Sequence, residues 1–113
     1  MLLSQKEEYG AVILELSGKI MGGPDASLLN DKLHELIDAG QKRVIADLSQ
    51  VEWVNSSGLG ILIGGLITMR NNGGSLKLAR VTDKILNLIK ITKLKSVFET
   101  FDTIEKAAES FDN

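Results

Sequence analysis

The chain has 113 residues, a formal net charge of −2, no cysteine and only 4% aromatic residues. This length suffices for one domain whose hydrophobic core needs neither disulfides nor a structural metal. The lack of cysteine excludes a disulfide scaffold, thiol catalysis and cysteine-ligated zinc. The dispersed basic residues and few aromatics disfavour nucleic acid or an anionic membrane as a partner. We therefore expect a single domain over residues 1–113.

The N-terminal part predicts two strands followed by a helix. Residues 2–7 and 11–17 have strand-like composition and are separated by a turn at Gly10. Pro24 suits the first position of a helix, in which apolar residues recur at helical spacing until Gly40. A strand hairpin thus precedes the first helix.

The middle of the chain predicts a buried strand, a helix and a second strand. Residues 43–48 are apolar on both faces, which is typical of a strand in the centre of a sheet. A helix is expected from near Ser57 to the Asn-Asn-Gly-Gly segment at 71–74, followed by a strand at 75–79.

The C-terminal part predicts two more helices. Thr82 or Asp83 caps a short one, and residues 97–98 are expected to form a last short strand. Asp102 and Glu105 have capping-box spacing before a final helix. The order of elements predicts an α/β or α+β domain, with a mixed sheet of four to five strands and about four helices mostly on one face.

The distribution of apolar residues predicts a cytoplasmic protein. The N-terminus lacks the basic start and long apolar stretch of a signal peptide. The longest apolar segment, residues 58–69, is too short to span a bilayer and contains several glycines.

Residues 55–60 (Asn-Ser-Ser-Gly-Leu-Gly) lie between a strand and a helix, where several enzyme classes place catalytic or phosphate-binding groups. Neither serine has the Gly-x-Ser-x-Gly context of a hydrolase nucleophile, and the only histidine, His34, falls within a predicted helix. Gly64 comes one residue late for a dinucleotide fingerprint, and residues 75–79 lack its acidic partner. We therefore expect no enzymatic activity, no cofactor and no metal site.

Ser57 is instead predicted as a phosphorylation site. Unpaired N–H groups and the positive end of the helix dipole would stabilise a phosphate there, while the same serine can also cap the helix. In a helical projection, the side opposite the apolar face is uncharged. It comprises Ser57, Ile61, Gly64, Thr68 and Asn72, with Gly65 at its edge. This stripe either packs against a neighbouring helix or offers a flat face to another protein.

Four segments in order resemble the signature of STAS domains. They are the Asp-Leu-Ser at 47–49, Val51, Trp53 and residues 55–60. More narrowly, they resemble bacterial anti-sigma factor antagonists, whose usual pattern is Asp-Ser-Ser-Gly-Leu-Gly. The similarity extends over nearly the whole chain. It implies a small cytoplasmic protein with a mixed sheet and helices mostly on one side.

The resemblance also implies a mechanism called partner switching. The unphosphorylated protein would bind an anti-sigma factor that is also a serine kinase, and so release a sigma factor. Phosphorylation of the second serine, here Ser57, would abolish binding, and a serine phosphatase would restore it. Asn55 departs from the family aspartate, which removes a charge beside the acceptor but keeps an acceptor oxygen. The partner-binding residues are predicted to be Asp25, Asn55, Ser56, Ser57, Gly58, Ile61, Gly64, Gly65 and Thr68.

Two other functions stay open at this point. One is a STAS scaffold or accessory subunit of a signalling or transporter complex that is never phosphorylated. The other is a domain that binds or hydrolyses nucleotides through residues 58–60. Among the remaining residues, Trp53 is expected to cover one end of the core, and Lys90, Lys93 and Lys95 to be solvated surface.

Overall fold

A computed structural model describes residues 1–112 and shows a five-stranded sheet in the order β1-β2-β3-β4-β5. The strands are β1 (Leu2–Glu8), β2 (Ala11–Ile20), β3 (Arg43–Val54), β4 (Ser75–Ala79) and β5 (Thr100–Phe101). The helices are α1 (Pro24–Asp38), α2 (Ser56–Asn71), α3 (Asp83–Ile91) and α4 (Ile104–Glu109), and α4 continues into a 3-10 turn (Ser110–Asp112). Only β1 runs antiparallel to its neighbour, so the predicted mixed sheet is confirmed.

Both faces of the sheet are buried. Successive side chains of a strand point to opposite faces, so each strand contributes to two separate hydrophobic cores. Leu14 and Ala46 belong to the larger core, which α1, α2 and α3 cover. Ile13 and Ile45 point the other way and pack with Ala107 of α4. Three helices therefore lie on one face and the short α4 on the other, as predicted. None of the helices within residues 1–112 combines the length and apolarity needed to cross a membrane.

Strand β3 is longer than the apolar run that predicted it. Its pairing with β2 continues past irregularities in register, so that Val51 lies beside Gly18 and Val54 beside Ile20. The extension was missed because Val51 is the only buried residue within 49–53, unlike the continuous buried run at 44–48. As a result, residues 55–60 begin beside the end of β2.

Two details at the C-terminus were predicted wrongly. Residues 97–98 form no strand, because the amides of Val97 and Phe98 both donate to the Leu94 carbonyl oxygen in a turn, and β5 follows at residue 100. Thr103, not Asp102, caps α4, and its Oγ1 accepts a hydrogen bond from the Lys106 amide at 3.0 Å. Threonine and aspartate are both favoured as helix N-caps, so residue type alone does not decide between positions 102 and 103.

The first turn of α2 presses directly on the end of β2. A Cβ added at Gly58 would lie 1.9 Å from the Ile20 carbonyl oxygen and 3.0 Å from a methyl group of Val54. Only glycine fits this position without moving the helix. At Gly60, two residues on, an added Cβ would meet no described atom within 4 Å.

Gly58→Ala should therefore destabilise the domain by about 3 kcal/mol or more, because backbone atoms would have to separate. Gly60→Ala is the matched control in the same helix and should stabilise by up to about 1 kcal/mol through helix propensity. Urea unfolding of both variants measures the difference. Equal stabilities would show that α2 shifts away from β2 at little cost.

Candidate functional site

Asn55 caps helix α2. Its backbone is extended, with φ −101° and ψ −175°, and its Oδ1 accepts a hydrogen bond from the Gly58 amide at 2.8 Å. This places Ser56 and Ser57 as the first two residues of the helix. The expectation that Ser57 caps the helix is thus wrong, because the N-cap side chain is that of Asn55.

The side-chain amide of Asn55 makes a second connection. Its Nδ2 donates to the carbonyl oxygen of Met21 at 3.3 Å, which joins the β2–α1 connection to the start of α2. An ionised aspartate would keep the capping acceptor but has no hydrogen to donate. The departure from the family pattern therefore adds a contact between two loops that flank Ser57.

Ser57 is exposed and lies against a glycine of that same connection. Gly22 has φ +107°, and a Cβ added there would come within 3.3 Å of Ser57 Cβ and 3.9 Å of its Oγ. The chain passes close to the serine because no side chain intervenes. Ser57 nevertheless remains an exposed residue.

A groove of about 430 Å³ extends from Ser57 between α1 and α2, and we call it the α1–α2 groove. Its lining residues are Ala26, Ser27, Leu29, Asn30, Ser57, Gly60, Ile61, Gly64, Gly65 and Thr68. Within residues 1–112, no charged side chain contributes to this lining. Further along the groove, Thr68 Oγ1 donates to Asn30 Oδ1 at 3.5 Å, which links the two helices.

Two groove residues of α1, Ser27 and Asn30, were missed from the sequence, which had pointed only to Asp25 in that helix. Ser27 and Asn30 are small polar residues on the exposed side of α1, and both line the groove. Their helical spacing, three residues apart, places them on one side of α1. That spacing does not reveal that α2 lies beside them.

The adjacent glycines of α2 have different surroundings. A Cβ at the buried Gly65 would lie 3.0 Å from Leu33 and 3.2–3.3 Å from Leu76 and Leu29, so this glycine lets α1 and the sheet approach α2. Gly64 is exposed, and a Cβ there would meet no atom of the described chain within 4 Å. Packing against a neighbouring helix therefore explains Gly65 but not Gly64.

The other predicted binding residues differ in exposure. Gly58 is buried against the end of β2, so it is not available for contact with a partner. Ile61 is half-buried and packs against the larger core. The carboxylate of Asp25, in the first turn of α1, accepts from the Met1 amino group at 3.2 Å. Trp53 was expected to be buried, but it is 43% exposed and lies beside α3.

Comparisons with known proteins show the family of the chain. A sequence model described as the STAS domain matches residues 3–107. The anti-sigma-B factor antagonist of Bacillus subtilis is 34% identical over 74 residues, covering 66% of this chain and 67% of the relative. A candidate anti-sigma factor antagonist of Bordetella bronchiseptica, BtrV, is 26% identical over 98% of this chain and 95% of its own.

Solved structures share the fold. A candidate anti-sigma factor antagonist of Thermotoga maritima matches with a TM-score of 0.84 at 24% identity, over 98% of this chain and 95% of its own. The phosphorylated Bacillus protein SpoIIAA matches with a TM-score of 0.70 at 16% identity, over 97% of this chain and 99% of its own. This chain belongs to the STAS domain family.

The cap provides a direct test of the role of Asn55. Asn55→Ala should cost about 1 kcal/mol, because the Gly58 amide loses its acceptor. Asn55→Asp should stay within about 0.5 kcal/mol of the parent, because the carboxylate accepts the same bond at the positive end of the helix. Urea unfolding at neutral pH measures both. An equal loss in the two variants would show that the bond to Met21, and not the cap, holds the junction.

Proposed function

We propose that this protein is an anti-sigma factor antagonist regulated by phosphorylation of Ser57, and that it acts by binding and not by catalysis. The single observation that carries the proposal is the exposed Ser57 at the end of the uncharged α1–α2 groove. Relatives named as anti-sigma factor antagonists support the same role. The proposed partner is an anti-sigma factor with serine kinase activity.

Two glycines of α2 support a binding face beside Ser57. Gly60 and Gly64 are exposed helical residues with open space around them. Each costs about 1 kcal/mol relative to alanine in a helix, and no contact within the described chain explains that cost. A partner backbone that approaches α2 closely would explain it.

In the proposed switch, the kinase transfers the γ-phosphoryl group of ATP to Ser57 Oγ. The bond from the γ-phosphorus to the ADP oxygen breaks, ADP leaves, and the hydroxyl proton passes to a base of the kinase. A phosphatase later hydrolyses the phosphoserine and releases inorganic phosphate. The phosphate adds roughly −1.5 to −2 charges beside the helix N-terminus, which stabilises them by about 1 kcal/mol or less.

The same phosphate would oppose binding. The groove lining, as described for residues 1–112, holds no lysine or arginine to neutralise it. A partner pressed against α2 would therefore have to bury an unpaired charge, at a cost of several kcal/mol. Affinity should fall by two orders of magnitude or more, while the fold of the free protein stays unchanged.

A STAS scaffold that is never phosphorylated is the second candidate. The observation that favours it is Asn55, which leaves residues 55–60 without a carboxylate next to the acceptor. The nucleotide-binding alternative has less support, because the Gly58 amide that a phosphate loop would offer is already bonded to Asn55.

Phosphorylation of Ser57 is tested with the kinase that co-purifies with the protein. Ser57→Ala should keep partner binding and lose incorporation of phosphate from ATP, whereas Ser57→Asp should weaken binding. Ser56→Ala is the matched control and should still incorporate phosphate from ATP. Mass spectrometry locates the phosphate. A label on Ser56 would refute the acceptor assignment, and the absence of any label would favour the scaffold.

The binding face is tested at Gly64. Gly64→Gln projects a side chain from α2 into the groove and should reduce affinity for the same partner at least about tenfold, by preventing close packing. Its stability should not fall, because glutamine is the better helix former by about 0.5–1 kcal/mol. Arg70→Gln, exposed on α2 outside the lining, is the control. Calorimetric titration showing full affinity for Gly64→Gln would place the interface elsewhere.

A further inference from the structure

Two charged side chains are buried within residues 1–112, and one of them, Asp47, lies in the strand that leads to residues 55–60. Asp47 is 3% exposed. Its Oδ1 accepts a hydrogen bond from the Ser49 amide at 3.0 Å, and its Oδ2 accepts one from Arg80 Nη1 at 3.2 Å. A buried carboxylate is costly even when such bonds compensate it, and the proposed switch at Ser57 gives Asp47 no role.

Asp47 lies at an irregularity in the pairing of β3 with β2. Glu15 lies beside Asp47 and Ser17 beside Gln50, so that residues 48–49 of β3 face a single residue of β2. We call this irregularity the β3 bulge. The extra residue of a bulge loses its regular partner in the sheet, and here the Asp47 carboxylate provides an acceptor for the amide of residue 49.

The β3 bulge decides which side chains of the strand face the larger core. Leu48, Val51 and Val54 all belong to that core, although they are three residues apart. Side chains of a regular strand alternate with a period of two, so Gln50 and Glu52 would face the core in their place. The β3 bulge and a second irregularity further along each shift the alternation by one residue, which keeps both polar residues exposed.

Arg80 connects the β3 bulge to the end of the neighbouring strand. The pairing of β3 with β4 ends where Ala79 lies beside Asp47. Arg80 follows with φ +54°, and its amide donates to the Phe101 carbonyl oxygen at 2.9 Å. Glycine suits this left-handed backbone better than arginine does. The bond from the arginine side chain to Asp47 gives a reason for arginine at this position.

We propose that Asp47 and Arg80 are positioning residues, which fix the β3 bulge and so set the register in which β3 reaches Asn55. The Asn55 amide donates to the Ile20 carbonyl oxygen at 3.4 Å, and the Asn55 side chain caps α2. Without the β3 bulge, the residues beyond it shift by one position relative to β2, and the bond to Ile20 is lost. Ser57 then loses its fixed place. Only the consequence for phosphorylation rests on the proposed function.

Hydrogen exchange of the Asn55 amide, followed by NMR, tests the register without any partner. Arg80→Met should accelerate this exchange at least about tenfold more than that of the buried Leu33 amide in α1, which reports on global unfolding. Arg80→Lys should restore the parent rate within about threefold, because one nitrogen of residue 80 makes the contact. Asp47→Ala should act as Arg80→Met does. Asp47→Asn, which keeps the acceptor for the amide of residue 49, replaces it if the alanine variant does not fold.

Glu99→Met is the matched control. Glu99 is the more exposed partner of the other buried charge, Lys77, at 3.1 Å, as Arg80 is for Asp47. This variant should change the exchange of both amides by the same factor. If Arg80→Met also accelerated both amides equally, or accelerated neither, the ion pair would contribute to stability alone and the proposal would be overturned.

Phosphorylation gives a second readout, which separates this inference from the proposed function. With the co-purifying kinase, Arg80→Met should incorporate phosphate at Ser57 at least about tenfold more slowly than Glu99→Met, because the acceptor is misplaced. Incorporation at the parent rate in Arg80→Met would overturn the positioning role. A parent protein that takes up no phosphate would refute the proposed function, and the exchange of the Asn55 amide would still decide the register.

Discussion

The structure depends on the contact between Gly58 and the backbone of β2. The first turn of α2 can lie on the Ile20 carbonyl only because residue 58 has no side chain. Asn55 also stabilises the start of α2. Its side-chain oxygen caps the helix, and its side-chain amide donates a hydrogen bond to the β2–α1 connection. These contacts determine where α2 begins, how it is directed across the sheet, and where Ser57 is presented.

The proposed binding surface follows from this placement of α2. Because the helix lies close to the sheet, Gly65 is buried against leucines of α1 and β4. The neighbouring Gly64 is exposed to solvent. The same placement leaves the α1–α2 groove open beside Ser57. The lining of this groove, as described for residues 1–112, carries no charged side chain.

Most elements could be predicted because their signals are local. Pro24 begins α1, Gly10 lies in the hairpin turn, and the apolar run from residue 43 is the central strand. The errors occurred where local signals compete or end. Asp102 and Thr103 both suit a cap, and β5 consists of two residues that are strand only through their pairing with β4.

The sequence by itself determined the family, the position of residues 55–60 between strand and helix, and the uncharged stripe that follows Ser57. These depend on residue type and on periodicities that the backbone imposes. Only the tertiary structure decided which neighbour covers each side: that Gly65 is buried, that Trp53 is exposed, and that Ser27 and Asn30 join the groove. The physical reason is that periodicity shows which residues share a side of a helix, whereas burial depends on elements distant in the chain.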